Sequence, residues 1–232
     1  MAVPKKRTVA FSKNAVNVFF HILTRCNLNC SHCYINPEQH GKKTLGINTI
    51  RNWLDAFLPN QRQVNVIFLG GEPTLHPDLS QAIHYARKRG CASITVDTNG
   101  YLFNDFLSKV SPQDVNYISF SLDGATAGTN DPIRGEGSFD ACTQGIRQAV
   151  TQGFAVSLIF TVSQSNISDL DRMHPLLLDL GVSRFFIQVI GLRGKSSKKD
   201  VNMGQVSMDD WQAHVPQAAA KASGAGITVA YP

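Results

Sequence analysis

Short runs rich in β-branched and aromatic residues alternate along the chain with longer segments of helical periodicity. Most of these runs are nearly continuous in Val, Ile, Leu and Phe, which is typical of strands buried on both faces of a parallel sheet. The six predicted strands are Val16–Leu23, Val64–Leu69, Ser93–Asp97, Tyr117–Leu122, Ala155–Val162 and Arg184–Ile190. Repeated alternation of this kind predicts a parallel α/β fold with right-handed crossovers.

The segments between the strands carry the spacing and end signals of α-helices. The predicted helices are Ile47–Leu58, Leu79–Arg89, Asn104–Lys109, Phe139–Gln152, Ile167–Leu180 and Met208–Ala222. Ser138 and Ser207 are predicted N-caps, because a serine hydroxyl can accept a hydrogen bond from a backbone N–H of the first turn. Pro175 lies inside the fifth helix and predicts a kink or a break there.

Six strand–helix units are too few to close a barrel of eight parallel strands. We therefore expect an α/β fold in the form of a partial (β/α)6 TIM-type barrel with parallel strands, although the pattern alone also fits a flat doubly wound sheet. The core domain is predicted at residues 16–223, after an N-terminal extension at residues 1–15. Residues 224–232 are predicted to form an edge strand or the start of a C-terminal extension.

Composition narrows the class of protein further. Hydrophobic residues make up 43% of the 232 residues and charged residues 17%, so the chain can bury a large core and is not disordered. The net charge of +5 favours anionic small molecules or acidic partners and is too diffuse to indicate nucleic acid. No apolar window is long enough for a membrane span, and no secretory segment follows the basic N-terminus. These features predict a cytoplasmic protein with no membrane partner.

Three of the five cysteines, Cys26, Cys30 and Cys33, lie within eight residues directly after the first predicted strand. That position is the C-terminal edge of the sheet, where barrel-like folds build their active sites. The packed thiols indicate a metal site and not a disulfide framework, whereas Cys91 and Cys142 are expected to be plain buried residues. One interpretation is zinc, with His32 or His40 as a fourth ligand. The other is an iron–sulfur cubane with one iron left open, because three thiolates serve only three of four irons.

A second motif, Gly70-Gly71-Glu72-Pro73, follows the second predicted strand. Paired glycines let the backbone come close to a ligand, and Glu72 offers a carboxylate to an ammonium group. Taken alone, the same residues are also typical of an ordinary strand-to-helix turn.

Further motifs follow the third and fourth strands, namely Asp97-Thr98-Asn99-Gly100, Ser121-Leu122-Asp123-Gly124 and Ile133-Arg134-Gly135. In this order, the motifs resemble those of the radical S-adenosylmethionine (radical SAM) superfamily. They are most similar to the SPASM/twitch-associated branch of peptide-modifying and cofactor-biosynthesis enzymes. The similarity covers about Val16 to Ile190. No cysteine cluster follows that could bind auxiliary clusters, so we expect the C-terminal extension of that branch to be absent or truncated.

The resemblance implies a role for each matching residue. Cys26, Cys30 and Cys33 would hold a catalytic [4Fe–4S] cluster whose open iron binds SAM. Gly70, Gly71 and Glu72 would take the SAM amine, Ser121 and Arg134 its carboxylate and ribose region, and Asn99 would make a weaker SAM contact. Asp123 could contact substrate or ribose, or simply form the turn. His32 departs from the pattern, since many relatives have an aromatic residue there.

The activity implied by the resemblance is reductive cleavage of SAM to a 5′-deoxyadenosyl radical, which abstracts hydrogen from a peptide or a small-molecule cofactor precursor. A flavodoxin or ferredoxin would serve as the reducing partner. The alternative is an iron–sulfur or zinc module with a structural or electron-transfer role and no SAM chemistry. A basic loop containing Lys195, Lys198 and Lys199 is expected to be solvated, or else to dock an anionic substrate.

Overall fold

The computed structural model describes residues 15–58, 63–197 and 204–232. Seven strands form one sheet in the order of the chain, and every neighbouring pair is parallel. The strands are β1 (Ala15–Leu23), β2 (Gln63–Gly70), β3 (Ser93–Thr98), β4 (Tyr117–Ser121), β5 (Val156–Val162), β6 (Arg184–Val189) and β7 (Thr228–Ala230). Because β1 and β7 lie at opposite edges, the sheet is open, and the predicted partial barrel of parallel strands is confirmed.

Six α-helices accompany the sheet in the described ranges. They are α1 (Ile47–Phe57), α2 (Leu79–Lys88), α3 (Ala127–Arg134), α4 (Ser138–Thr151), α5 (Leu170–Asp179) and α6 (Met208–Gly224). The connection from β3 to β4 contains a single 3₁₀ turn, Phe106–Ser108, where the sequence predicted a short helix. None of these helices combines the length and apolar character that a membrane crossing requires.

The two faces of the sheet have different surroundings. Along β2, Val64, Val66 and Phe68 are buried, whereas the alternate residues Ile67 and Leu69 line a cavity inside the barrel. The period of two in a strand produces this division. One face therefore supplies the hydrophobic core beneath the helices, and the other is free to build a site.

Several local predictions need correction. Helix α5 includes Pro175 and continues to Asp179, so the break that the sequence allowed there does not occur. The N-cap of α4 is Gly137 in the left-handed conformation, and Ser138 is the first helical residue. Helix α3 was not predicted at all. The Ser207 N-cap is confirmed, since its side chain accepts a hydrogen bond from Asp210 N.

The chain ends are only partly described. Residues 228–230 form the edge strand that was one of two predictions for this end. Residues 1–14 of the predicted N-terminal extension, together with Lys198 and Lys199, lie outside the described residues.

Candidate active site

The inner face of the sheet and the loops at its C-terminal edge enclose a cavity of about 750 Å³. Eight of the nine residues predicted for the site line it, namely Cys26, Cys30, Cys33, Gly70, Gly71, Asn99, Ser121 and Arg134. Glu72 is the exception, since its side chain is fully buried behind the cavity wall. Motifs from four separate strand ends therefore meet in one place, as expected for a parallel sheet.

The three cysteines lie on the loop between β1 and α1, and all three thiols are free and half-buried. Leu28 N donates to Cys26 Sγ at 3.4 Å, and Asn99 Nδ2 lies 3.7 Å from the same sulfur. Burial raises the pKa of Cys26 to about 12 and also raises that of Cys30. The Cys26 and Cys30 thiols are thus protonated at neutral pH, and binding of a metal would have to release their protons.

The donor set suits an iron–sulfur cluster. In the ranges 15–58, 63–197 and 204–232, no three His, Cys, Asp or Glu side chains form a ready ligand group for a single metal ion. A cubane takes one thiolate per iron, so its ligands do not converge on one atom. Three soft thiols on one loop, with N–H donors aimed at a sulfur, fit such a group.

The Gly70-Gly71 turn is attached to the cysteine loop. Gly71 N donates to Leu23 O at 3.0 Å, and Glu72 N donates to Arg25 O at 2.8 Å. A Cβ on Gly71 would lie 2.1 Å from Arg25 O, and one on Gly70 would lie 2.2 Å from Leu23 O. The paired glycines are therefore required for close approach of the two loops to each other, in addition to facing the cavity.

Glu72 joins the second loop to the end of β3. Its Oε1 accepts from Thr74 N, Thr74 Oγ1 and Thr98 Oγ1 at 2.7–3.0 Å, and its Oε2 accepts from Asn99 N at 2.7 Å. Burial raises the pKa of Glu72, and these hydrogen bonds oppose the shift. The carboxylate is directed into the protein, where it fixes the turn, and it does not reach the cavity.

Asp123 is the centre of a second buried network. Its Oδ2 lies 2.7 Å from both His32 Nε2 and Arg134 Nε, and its Oδ1 accepts from Thr161 N at 2.7 Å. Burial alone would raise the pKa of Asp123, but Arg134 and His32 outweigh it and hold the pKa at about 2. Asp123 has no exposed surface, so it supports the site from behind.

Sequence reasoning missed this function of His32 and Asp123. Both residues belong to the motifs, but their pairing joins positions 91 apart in the chain. The His32 side chain also lines the cavity, and its Nδ1 is buried with no hydrogen-bond partner in the described structure. A histidine at the position before the third cysteine was the available signal.

The first part of the basic loop packs on the cysteine loop. Lys195 N donates to Cys33 O at 2.9 Å, and its Nζ donates to Asn29 O at 3.2 Å. A Cβ on Gly194 would lie 2.6 Å from Cys33 O. Lys195 is therefore a contact of the cysteine loop, through its backbone N–H and its side chain.

The fold is an open α/β barrel, and three thiols and a glycine turn at its mouth face one cavity. These features are typical of a partial-barrel protein that binds a cofactor. A family profile described as "Radical SAM superfamily" matches residues 20–177, and the chain belongs to this superfamily. The family prediction from the motifs is therefore confirmed, and the family implies SAM and a [4Fe–4S] cluster.

Two curated relatives illustrate the similarity. The chain is 31% identical over 184 residues to Fe-coproporphyrin III synthase of Methanosarcina barkeri, an alignment that covers 78% of this chain and 45% of the relative. It is 29% identical over 195 residues to the mycofactocin maturase MftC of Mycobacterium tuberculosis, covering 80% of this chain and 49% of that protein. The chain thus spans about half the length of the curated relatives it matches.

Solved structures share the fold. SuiB of Streptococcus suis bound to its precursor peptide SuiA superposes with a TM-score of 0.77 at 12% identity, over 93% of this chain and 48% of that one. The protein anSMEcpe with bound AdoMet and a peptide gives a TM-score of 0.75 at 13% identity, over 93% of this chain and 63% of that one.

Proposed function

We propose that this chain is the catalytic core of a radical SAM enzyme that acts on a peptide or a cofactor precursor. The observation that carries the proposal is the meeting of the three thiols, the glycine turn and the polar strand ends at one cavity. The names of the two relatives, a tetrapyrrole synthase and a maturase, support these two classes of substrate.

When bound, the cluster and SAM would supply a 5′-deoxyadenosyl radical that abstracts hydrogen from the substrate. Cys26, Cys30 and Cys33 would hold the cluster. The backbone of Gly70 and Gly71 would meet the SAM amine, with Glu72 fixing that turn from behind. This role differs from the direct contact between Glu72 and the SAM amine that the family resemblance implies.

Arg134 would bind the SAM carboxylate. Its ion pair with Asp123 runs through Nε, and the terminal nitrogens of its guanidinium donate no hydrogen bond to any described residue. A guanidinium held at one edge in this way presents a planar fork to a carboxylate. Ser121 and Asn99 line the same wall and would complete the contacts to SAM.

The wider setting follows from this chemistry. A one-electron reduction requires a low-potential donor, for which a flavodoxin or ferredoxin is the expected partner, and an oxygen-sensitive cluster suits the cytoplasm. Both statements are part of the proposal.

The test is an anaerobic assay with reconstituted protein, SAM and dithionite, in which 5′-deoxyadenosine is quantified by chromatography. Wild type and Cys91→Ser should both form it, because Cys91 is buried away from the cavity. Cys30→Ser should lose the cluster and the product while keeping the fold. A stable cluster that leaves SAM intact would instead support the structural or electron-transfer module.

A further inference from the structure

A row of four polar side chains crosses the inner face of the barrel. Strand pairing places Asp97 of β3 beside Ser119 of β4, Ser119 beside Ser157 of β5, and Ser157 beside Arg184 of β6. All four residues line the cavity. We call Asp97, Ser119, Ser157 and Arg184 the polar row. It spans three strand spacings, about 14 Å along the sheet, with a carboxyl group at one end and a guanidinium at the other.

Arg184 is held in a way that leaves its donors available. Its guanidinium carbon lies 3.8 Å from the centre of the Tyr117 ring, which occupies one face of the planar group. Stacking on a face leaves the N–H edges free to bind a carboxylate through two parallel hydrogen bonds. Within the described ranges, no carboxylate lies within ion-pair distance of Arg184, and its side chain donates no hydrogen bond.

Two further arginines, Arg134 and Arg193, line the cavity, and the arrangement of Arg184 differs from that of Arg134. Arg134 is neutralised by Asp123 at 2.7 Å, inside the protein. In the described structure Arg184 has the Tyr117 ring beside it and no counter-charge, so a ligand that supplies an anion would add an ion pair that the protein itself does not make. Asp97, at the other end of the row, is the one acidic side chain among the described residues that line the cavity.

The next level toward the mouth is mostly apolar. The register places Ser121 beside Ile159, and Ile159 beside Phe186. A ligand with its charged end on the polar row would therefore pass its aliphatic part between Ile159 and Phe186. The aliphatic part would lie on the same side of the cavity as the cysteine loop. The proposed hydrogen abstraction requires an unactivated C–H bond of the substrate at that place.

We propose that the polar row orients the substrate: Arg184 binds a carboxylate of the substrate, and Asp97 accepts a hydrogen bond from a donor group farther along the same molecule. This inference rests on the proposed function, since it assigns a substrate class to the same cavity. The carboxylate could belong to a peptide or to a tetrapyrrole-like precursor, and the experiment distinguishes these sources.

Binding is measured on anaerobically reconstituted protein with SAM and without reductant, by ultrafiltration and mass spectrometry. One arm uses a tetrapeptide pool as free acids and the same pool as C-terminal amides. The other uses coproporphyrin III and its tetramethyl ester. Wild type should retain the acids of one arm at least tenfold better than the neutral forms, and the arm that shows this preference identifies the source.

The variants separate charge from packing. Arg184→Gln should bring the preference to within about twofold, whereas Arg184→Lys should keep most of it. Arg147→Gln is the matched control, since Arg147 is an exposed residue of α4 paired with Asp179, and it should behave as wild type. An unchanged melting temperature and cluster absorbance in Arg184→Gln would show that its fold is intact.

The proposal is overturned if wild type retains neither acid, retains acid and neutral forms equally, or if Arg184→Gln keeps the full preference. A failure of the proposed function would look different, because it would be an absence of 5′-deoxyadenosine from reduced wild-type enzyme. The binding measurement involves no reduction and does not depend on that result.

Discussion

Two sets of charged residues in the same barrel differ in their partners and in whether they face the cavity. Behind the cofactor loops, Glu72 and Asp123 are fully buried, and each is surrounded by donors from other segments of the chain. In the polar row, Asp97 and Arg184 face the cavity, and Arg184 has no counter-charge in the described structure. The first set joins loops to strands, and the second is left for a ligand.

The pKa values of the two aspartates express the same contrast. Asp123 has a pKa lowered to about 2, because Arg134 and His32 outweigh the effect of burial. Asp97, on the preceding strand β3, has a pKa raised to about 7 by burial, with Glu72 adding to the shift and Ser119 opposing it. The carboxylate of Asp123 has Arg134 and His32 as partners and stabilises the fold. The charged form of Asp97 is destabilised by burial, and its carboxyl group faces the cavity, where it can bind a ligand.

The largest expected effect is the loss of the charge of Asp123. Asp123→Asn keeps the shape of the side chain but leaves the buried Arg134 without its counter-charge, so it should destabilise the protein by about 3–5 kcal/mol. Guanidinium denaturation at pH 7 measures this. The stabilising effect of Asp123 in the wild type should be present above about pH 4 and be lost as the pH falls toward 2. A decrease of less than about 1 kcal/mol in the free energy of unfolding would contradict the view that Asp123, unlike the polar row, stabilises the fold.

The next largest loss of stability is expected from a variant that separates the Gly70-Gly71 turn from the cysteine loop. In Gly71→Ala the new Cβ would meet Arg25 O at 2.1 Å, so the turn must move away from the cysteine loop, at a cost of about 1–3 kcal/mol. Denaturation measures the loss, and iron content after reconstitution should also fall. Gly46→Ala is the matched control, because nothing lies within 4 Å of its Cβ and its φ is −70°. Equal behaviour of the two variants would contradict the packing described.

Asp97→Asn should act in the opposite direction from Asp123→Asn. Below about pH 3 the carboxyl is protonated in both the folded and the unfolded state and contributes nothing. As the pH rises from about 3 to 7, the unfolded state loses the proton first, so the wild type loses stability. The variant should therefore be more stable by about 1–3 kcal/mol at pH 8, with the difference vanishing near pH 3. A difference independent of pH would show that Asp97 is not the cause.

The smallest effect should come from the Thr98 hydroxyl of the Glu72 network. Thr98→Val removes the donor that lies 2.8 Å from Glu72 Oε1 and the acceptor of the Gly100 N–H, while Thr74 and Asn99 N still satisfy the carboxylate. We expect the free energy of unfolding, measured by guanidinium denaturation, to fall by about 1 kcal/mol. A loss as large as that of Asp123→Asn would mean that the network depends on Thr98 alone.

The sequence predicted well what depends on local pattern. Continuous apolar runs located the strands, and motifs at strand ends located the cysteines, the glycine turn and Arg134, because all parallel strands present their ends at one edge. It could not predict where Glu72 points, since its partners Thr98 and Asn99 come from the next strand. The polar row was equally hidden, because only the register of four strands places Ser119 beside Asp97, Ser157 beside Arg184, and the two serines beside each other.

The most direct test of the central claim is electron paramagnetic resonance of the dithionite-reduced, anaerobically reconstituted protein with and without SAM. If the three thiols of the loop hold a cluster with one open iron, wild type should show the signal of a reduced [4Fe–4S] centre, and adding SAM should change its g-values. Cys30→Ser should show no such signal. A spectrum that is identical with and without SAM, or an absence of any iron–sulfur signal after full reconstitution, would contradict the account.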